Sequence, residues 1–125
     1  MNVDAEAIFY ITKGIMTLEE IKKLNDDREN LDLSLLIGLT TNDQLFDHIL
    51  IEMDIFCKCR KRIEEKDKYT KRSIFLLLML FDRINDMFVY MVSLFTIKAE
   101  YIQKYAQFCS DHLPQIVAVS HTTLE

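Results

Sequence analysis

Residues 71–111 read KRSIFLLLMLFDRINDMFVYMVSLFTIKAEYIQKYAQFCSD, a run of 41 positions without glycine or proline. Because the residues that most often interrupt helices are missing, the run predicts one continuous helix, roughly 60 Å long at about 1.5 Å per residue. Side chains that favour burial recur at every seventh position and drift only about 20° per repeat, so the phenylalanines among them should form one buried ridge. These positions are Ile74, Phe81, Phe88, Phe95, Ile102 and Cys109.

Residues that favour turns are rare in the whole chain. Glycine and proline are the two types that most strongly favour turns, and the 125 residues include only Gly14, Gly38 and Pro114 of them. Sandwiches, barrels and doubly wound sheets need such residues about every ten positions. We therefore predict an all-α fold, a compact bundle of four to five helices around the long C-terminal helix. Residues 1–113 should form a single domain, and residues 114–125 lack a helical pattern and are expected to be extended or disordered.

The first two helices have recognisable starts. A short helix is predicted from about residue 5 to residue 13, with Asp4 as its N-cap and Gly14 as its C-terminal stop. The sequence from Thr17 to Glu20 is a capping box, in which each side chain satisfies the backbone amide of the other residue. The second helix should therefore begin at this position and fade within the polar residues 25–27.

The next two segments differ in clarity. Residues 31–39 alternate between apolar and polar positions, and we interpret them as a short buried helix that ends at Gly38. The sequence from Thr41 to Gln44 is a second capping box, which should open a helix that reaches about Lys66. Apolar residues at three-to-four spacing predict the core face of that helix. They are Leu45, Phe46, Ile49, Leu50, Met53, Phe56, Cys57 and Ile63.

The long helix is apolar around most of its circumference. Of the 24 residues from Ile74 to Ile97, 18 are apolar, whereas a surface helix needs only one apolar stripe of about 100°. The helix also exceeds the predicted 42–66 helix by some 15 residues, so part of its surface should be covered by another polypeptide. The predicted partner or dimer interface consists of Phe88, Met91, Phe95, Ile102 and Tyr105.

The sequence contains no pattern that indicates catalysis, a cofactor or a metal site. Two glycines cannot build a phosphate-binding loop, a nucleophile elbow or a dinucleotide fingerprint. Cys57 and Cys59 point about 200° apart on a helix, so they cannot chelate one metal; Cys57 should be buried and Cys59 exposed. His48 and Glu52 share a helix face and form half of a possible metal site, but we interpret them as a solvated or cap-side pair. We predict a protein that is not an enzyme.

Charge is unevenly distributed along the chain. The formal net charge of −5 divides into −8 for residues 1–57, +5 for residues 58–72 and −2 for the remainder. An acidic body argues against a general nucleic-acid binder, which is basic over a whole face. The basic segment still offers a contact for an anion or an acidic partner. Its candidate residues, which we call the basic corner, are Lys58, Arg60, Lys61, Arg62, Lys71 and Arg72.

These observations favour a non-enzymatic protein-interaction module, a small helical adaptor, chaperone or inhibitor. Its partner should be another protein, either a second copy in a homodimer or a helical segment of a different chain. One alternative is a protein that binds nucleic acid or an acidic partner through the basic corner, and another is a structural subunit of a larger assembly. With no apolar run of about 20 residues, no signal-peptide pattern and three cysteines, the expected location is the reducing cytoplasm, with no membrane span.

Overall fold

A computed structural model describes residues 5–66 and 69–123 of the chain. These residues form five helices and no strand, which confirms the predicted all-α class. The helices are α1 (Ala5–Thr12), α2 (Leu18–Leu36), α3 (Asn42–Glu65), α4 (Lys71–Leu94) and α5 (Ala99–Thr123).

Consecutive helices from α2 to α5 run in alternating directions. The end of α3 meets the start of α2 through the ion pair of Arg62 with Glu20, which is 2.5 Å long. The start of α3 meets the end of α4 through the Asn42 amide, which donates to the Thr96 carbonyl. α3 packs most extensively against α4, while α2 packs on α3 and α5 packs on α4.

The core is centred on α3 and α4. All of the largest fully buried side chains belong to these two helices: Leu45, Phe46, Ile49, Ile55, Phe56, Ile63, Ile74, Leu76, Leu77, Leu80, Ile84 and Met91. Most of the predicted core face of α3 is confirmed, but Leu50 and Cys57 are exposed. Ile55, which was not predicted to lie in the core, is buried. α3 packs against both α2 and α4, so its buried face is wider than a single apolar stripe.

Both predicted capping boxes are confirmed. The Thr17 hydroxyl accepts from the Glu20 amide, and the Glu20 carboxylate accepts from the Thr17 amide. Thr41 and Gln44 form the same reciprocal pair. The sequence interpretation missed a third capping box, in which Thr70 pairs with Ser73 rather than with the usual glutamate or glutamine. α1 also ends before Gly14, whose φ is +71°, but Asp4 lies outside the described residues.

The separate buried helix predicted at residues 31–39 is wrong. α2 continues without interruption from Leu18 to Leu36, and Gly38, with a φ of +72°, follows its end. Leu31 is buried, but Leu36 is 83% exposed. The alternating apolar residues cannot all face α3 on a helix. α3 covers the side of α2 that carries Leu31, whereas Leu33 lies about 200° away from Leu31 and is exposed.

The single helix predicted at 71–111 is also wrong, because it breaks between Leu94 and Ala99. Phe95 is extended, with a φ of −131°, a conformation that requires no glycine. The β-branched residues Thr96 and Ile97 favour helix only weakly. The break lets α5 fold back on α4 and cover it, and this tertiary gain outweighs the loss of about one helical turn at residues 95–98.

The predicted extended tail is wrong as far as the structure describes it. α5 runs through Pro114 to Thr123. A proline inside a helix removes one backbone hydrogen bond and costs about 3 kcal/mol. Ile116, which is 1% exposed, provides the compensation by docking the last part of α5 onto the core.

Candidate functional site

A groove of about 690 Å³ lies between α1, α2 and α4. One wall comes from α1, the start of α2 and the loop that joins them, and its apolar side chains are Ala7, Tyr10, Met16, Ile21 and Leu24. α4 supplies the other wall with Arg72, Phe75, Leu76, Met79, Leu80 and Arg83. The lining is therefore apolar along its middle, with an arginine from each end of the α4 segment.

Helical spacing places the α4 residues on this wall. Phe75 and Met79 are one turn apart, and Arg72 and Arg83 lie about one turn beyond them on either side. Phe75 and Met79 are 57% and 52% exposed although they face a concavity. These large apolar side chains are thus held open to solvent, which is typical of binding grooves.

Contacts near Arg72 fix α1 against α4. The Tyr10 hydroxyl donates to the Arg72 carbonyl at 3.1 Å. The Arg72 guanidinium lies over the Phe9 ring, 4.2 Å from its centroid, in a cation–π contact. The short α1 helix is therefore attached at the end of the groove where α4 begins.

Arg83 is fixed from behind by a buried carboxylate. Its Nε and Nη2 donate to the two oxygens of Glu52 at 2.7 and 3.2 Å. Glu52 is 1% exposed, so this forked pair supplies the charge compensation that a buried carboxylate requires. Because both partners hold each other, Arg83 is a rigid part of the groove wall.

Glu52 belongs to a buried polar cluster that also contains Asp27 and His48. His48 Nδ1 forms a short hydrogen bond with Asp27 Oδ1. Burial raises the pKa of Asp27, the hydrogen bond from His48 lowers it and the nearby Glu52 raises it, with a net value of about 6. The predicted solvated pair of His48 and Glu52 is therefore wrong: α2 and α4 bring Asp27 and Arg83 over that face of α3.

This cluster is poorly placed for chemistry on a substrate. Asp27 and Glu52 are both buried, and Oδ2 of Asp27 has no hydrogen-bond partner within residues 5–66 and 69–123. Over the same residues, no group of histidine, cysteine, aspartate and glutamate side chains is arranged to hold a metal ion. The cluster joins α2, α3 and α4, and Arg83 is its one member on the groove wall.

A second polar group lies where α3 approaches α5. Arg60 Nη1 is 2.8 Å from His112 Nδ1, and His112 Nε2 is 3.3 Å from Cys57 Sγ. Because arginine can only donate, Nδ1 must accept, and the neutral ring carries its proton on Nε2, directed at the sulfur. Burial and Arg60 lower the pKa of His112, and burial raises the pKa of Cys57. The pair therefore lacks the reactive thiolate of a cysteine nucleophile.

The predicted exposure of the two neighbouring cysteines is reversed. Cys57 is exposed and Cys59 is buried, where desolvation raises the pKa of Cys59 to about 12. Cys59 follows Phe56 by three residues and precedes Ile63 by four, so all three lie on the core face. The sequence contained this spacing, but the interpretation assigned Cys57 to the core face instead.

The basic corner is divided among several ion pairs. Lys58 pairs with Asp54 at 2.8 Å, Arg60 with Glu64 at 2.9 Å and Arg62 with Glu20 at 2.5 Å. Burial alone would raise the pKa of Glu20, but the hydrogen bonds from Arg62 and Thr17 lower it. Lys61 and Lys71 are exposed, and Arg72 lies on the groove wall. Carboxylates thus compensate the charges of Lys58, Arg60 and Arg62, half of the cations in the basic corner.

The predicted interface residues are largely covered by the chain itself. Met91 is fully buried, so its assignment to an interface is wrong. Phe88 and Tyr105 stack on each other, and Phe95 packs against the core. Ile102 is the member that is exposed. The predicted 71–111 helix breaks after Leu94, and α5 therefore folds back and covers the part of α4 that we expected a second polypeptide to cover.

Comparison with protein-family models, with curated proteins and with solved structures gives no significant match to this chain. In the part of the chain that the structure describes, every helix is too short or too polar to cross a membrane. The groove between α1, α2 and α4 is therefore the feature on which a function can be argued.

Proposed function

We propose that this chain is a non-enzymatic protein-binding module, of the adaptor, chaperone or inhibitor type, that receives a helical segment of another protein in the groove between α1, α2 and α4. The observation that carries the proposal is the exposure of Phe75 and Met79 inside a concave, mainly apolar site. Full burial of such a side chain from water gives about 1.5–3 kcal/mol, so covering the exposed half of each of these two gives roughly 1 kcal/mol. The site of action we propose is the reducing cytoplasm, where the three free thiols would remain reduced.

A helix suits this groove better than a small molecule does. The volume of about 690 Å³ falls in the range of small-molecule pockets, but such pockets bury about 70–90% of their ligand. Side chains that are more than half exposed indicate a groove that is open along one side. An amphipathic helix fits that shape, because it buries one face and leaves the other in water. Met79 adds an adaptable contact, since methionine has three flexible torsions.

The other candidate functions have less support. A homodimer remains a proposal, but its predicted interface is mostly occupied within the chain. Binding of nucleic acid through the basic corner is weakened by the ion pairs of Lys58, Arg60 and Arg62.

The test compares two substitutions on the same helix. Met79→Asp places a charge on the groove wall, and Val92→Asp places one at a residue that is 53% exposed and outside the groove lining. The probe comes from a displayed library of 18-residue peptides that carry apolar residues at helical spacing. Peptides that bind the full chain are selected from this library. We expect Met79→Asp to weaken binding by at least tenfold and Val92→Asp to leave it unchanged.

Three results would contradict the proposal. The first is that no peptide is selected. The second is equal binding by the Met79→Asp and wild-type chains. A third is loss of peptide binding only in Val92→Asp, which would place the binding site on the exposed face of α4 near Val92. Circular dichroism of both variants checks that the bundle is intact.

A further inference from the structure

Two arginines lie at opposite ends of the apolar stretch of α4 that lines the groove. Arg72 and Arg83 are 11 residues apart, which is three helical turns, or about 16 Å along the axis. Phe75 and Met79 lie between them. A partner helix that lies along α4 would cover the apolar pair and meet one guanidinium at each end.

Both guanidinium groups keep unused hydrogen-bond donors. Arg83 gives Nε and Nη2 to Glu52, and its Nη1 has no acceptor among the residues that the structure describes. The Arg72 guanidinium contacts the Phe9 ring face, and over residues 5–66 and 69–123 it donates no hydrogen bond. None of these nitrogens is among the buried polar atoms without a partner, so the unused donors are accessible to water.

A partner that docks in the groove would separate the unused N–H donors of Arg72 and Arg83 from water. A purely apolar helix would remove water from the guanidinium donors and leave them unpaired, which is costly for charged groups. A carboxylate would accept from them in a charge-assisted, often forked, hydrogen bond. Among the described residues that line the groove, Glu6 is acidic and Arg72 and Arg83 are basic; Glu52, behind the wall, already compensates the charge of Arg83, so Arg72 should contribute most of the preference for a carboxylate.

We infer that the partner of this groove is an amphipathic helix with an acidic residue at each end of its apolar face, about three turns apart, which pair with Arg72 and Arg83. The apolar residues between the two acids contact Phe75 and Met79. This inference rests on the proposed function, and it adds the charge pattern that the partner must have. A basic or neutral helix of the same apolar pattern would bind more weakly.

The experiment uses the full chain and three matched 18-residue helical peptides taken from the selection described above. They share their apolar residues and carry Glu, Gln or Lys at the two positions three turns apart. Binding is measured by fluorescence anisotropy at two salt concentrations. We expect the Glu peptide to bind about 3–10-fold more tightly than the Gln peptide and the Lys peptide to bind most weakly, with smaller differences at high salt.

A charge reversal locates the effect. Arg72→Glu should remove most of the preference for the Glu peptide and improve binding of the Lys peptide. The variant loses the cation–π contact of Arg72 with Phe9, but the Tyr10 hydroxyl keeps its backbone carbonyl acceptor and glutamate suits the first turn of α4, so α1 should stay attached and the chain should fold. Lys104→Glu makes the same charge change at an exposed position on α5 and serves as the control. It should leave the order of the three peptides unchanged.

The outcomes separate this inference from the proposed function. If the Gln and Glu peptides bind the wild-type chain equally and Met79→Asp abolishes both, the groove binds helices but the inferred charge pattern is wrong. Equal effects of Arg72→Glu and Lys104→Glu would overturn the pattern as well, because the preference would then reflect net charge. If none of the three peptides binds, both the function and the pattern are refuted.

Discussion

Phe88 and Tyr105 lie face to face, with ring centroids 3.9 Å apart and planes inclined by 7°. The pair joins α4 to α5, and the Tyr105 hydroxyl is anchored by a short hydrogen bond to Asn85. About two turns earlier on α4 and one turn later on α5, the rings of Phe81 and Phe108 are also nearly parallel, with centroids 5.9 Å apart. This ladder of rings explains why α5 returns along α4 once the chain leaves Leu94.

Phe88→Ala and Tyr105→Ala should each destabilise the fold by about 1–3 kcal/mol, less than a fully buried aromatic residue because both are half-buried. A double-mutant cycle measured by urea denaturation should give a coupling of about 0.5–1.5 kcal/mol, the usual value for an aromatic pair. Val89→Ala, on the exposed side of α4, should cost little. Strictly additive costs for Phe88 and Tyr105 would mean that α5 does not pack in this way.

The three capping boxes allow a direct comparison of helix starts. Thr17→Ala, Thr41→Ala and Thr70→Ala each remove the hydroxyl that accepts from the amide three residues later. Each should lower the free energy of unfolding by about 1 kcal/mol. Thr12→Ala is the control, because its hydroxyl only returns to the Ile8 carbonyl within α1. An unchanged denaturation midpoint for any of the three would mean that the corresponding helix starts elsewhere.

Local sequence signals predicted much of the fold. The scarcity of glycine and proline predicted the helical class, and the first two capping boxes fixed the starts of α2 and α3 to the residue. The break after Leu94 and the helical path through Pro114 were not predictable in this way. Both depend on contacts between distant parts of the chain, such as Phe88 with Tyr105, which local propensity does not contain.

The candidate site was harder to predict than the fold. The apolar excess of the α4 segment correctly indicated a surface that needs cover, but it did not separate the side covered by α5 from the side left open at Phe75 and Met79. The buried cluster gave a partial signal in the four-residue spacing of His48 and Glu52. Its other half, Asp27 and Arg83, comes from two other helices.

The buried cluster predicts an unusual dependence of stability on pH. The pKa of Asp27 is raised from 3.8 to about 6 by folding, so the native state holds this proton more tightly than the unfolded state does. The stabilisation from this residue is complete below about pH 4 and is lost as the pH rises through 6. Asp27→Asn removes the titration. Its unfolding free energy should therefore rise relative to wild type by about 1–3 kcal/mol between pH 4 and pH 7.

Asp26→Asn makes the same charge change at the exposed neighbouring position and is the control. Urea denaturation of the three proteins at several pH values gives the two differences from wild type. A constant difference for Asp27→Asn across this range would mean that Asp27 is ionised in the folded protein throughout, and that water or a cation compensates its charge.

Ile116 tests the last part of α5. It follows Pro114 by two residues and is 1% exposed, whereas its neighbour Val117 is 48% exposed. If the helix continues through the proline and docks, Ile116→Ala removes a buried side chain and should cost about 2–5 kcal/mol, while Val117→Ala should cost less than about 1 kcal/mol. Thermal unfolding measures both. Similar small effects for the two substitutions would place residues 114–123 away from the core. Contacts other than those of Ile116 would then have to offset the destabilisation of α5 by Pro114.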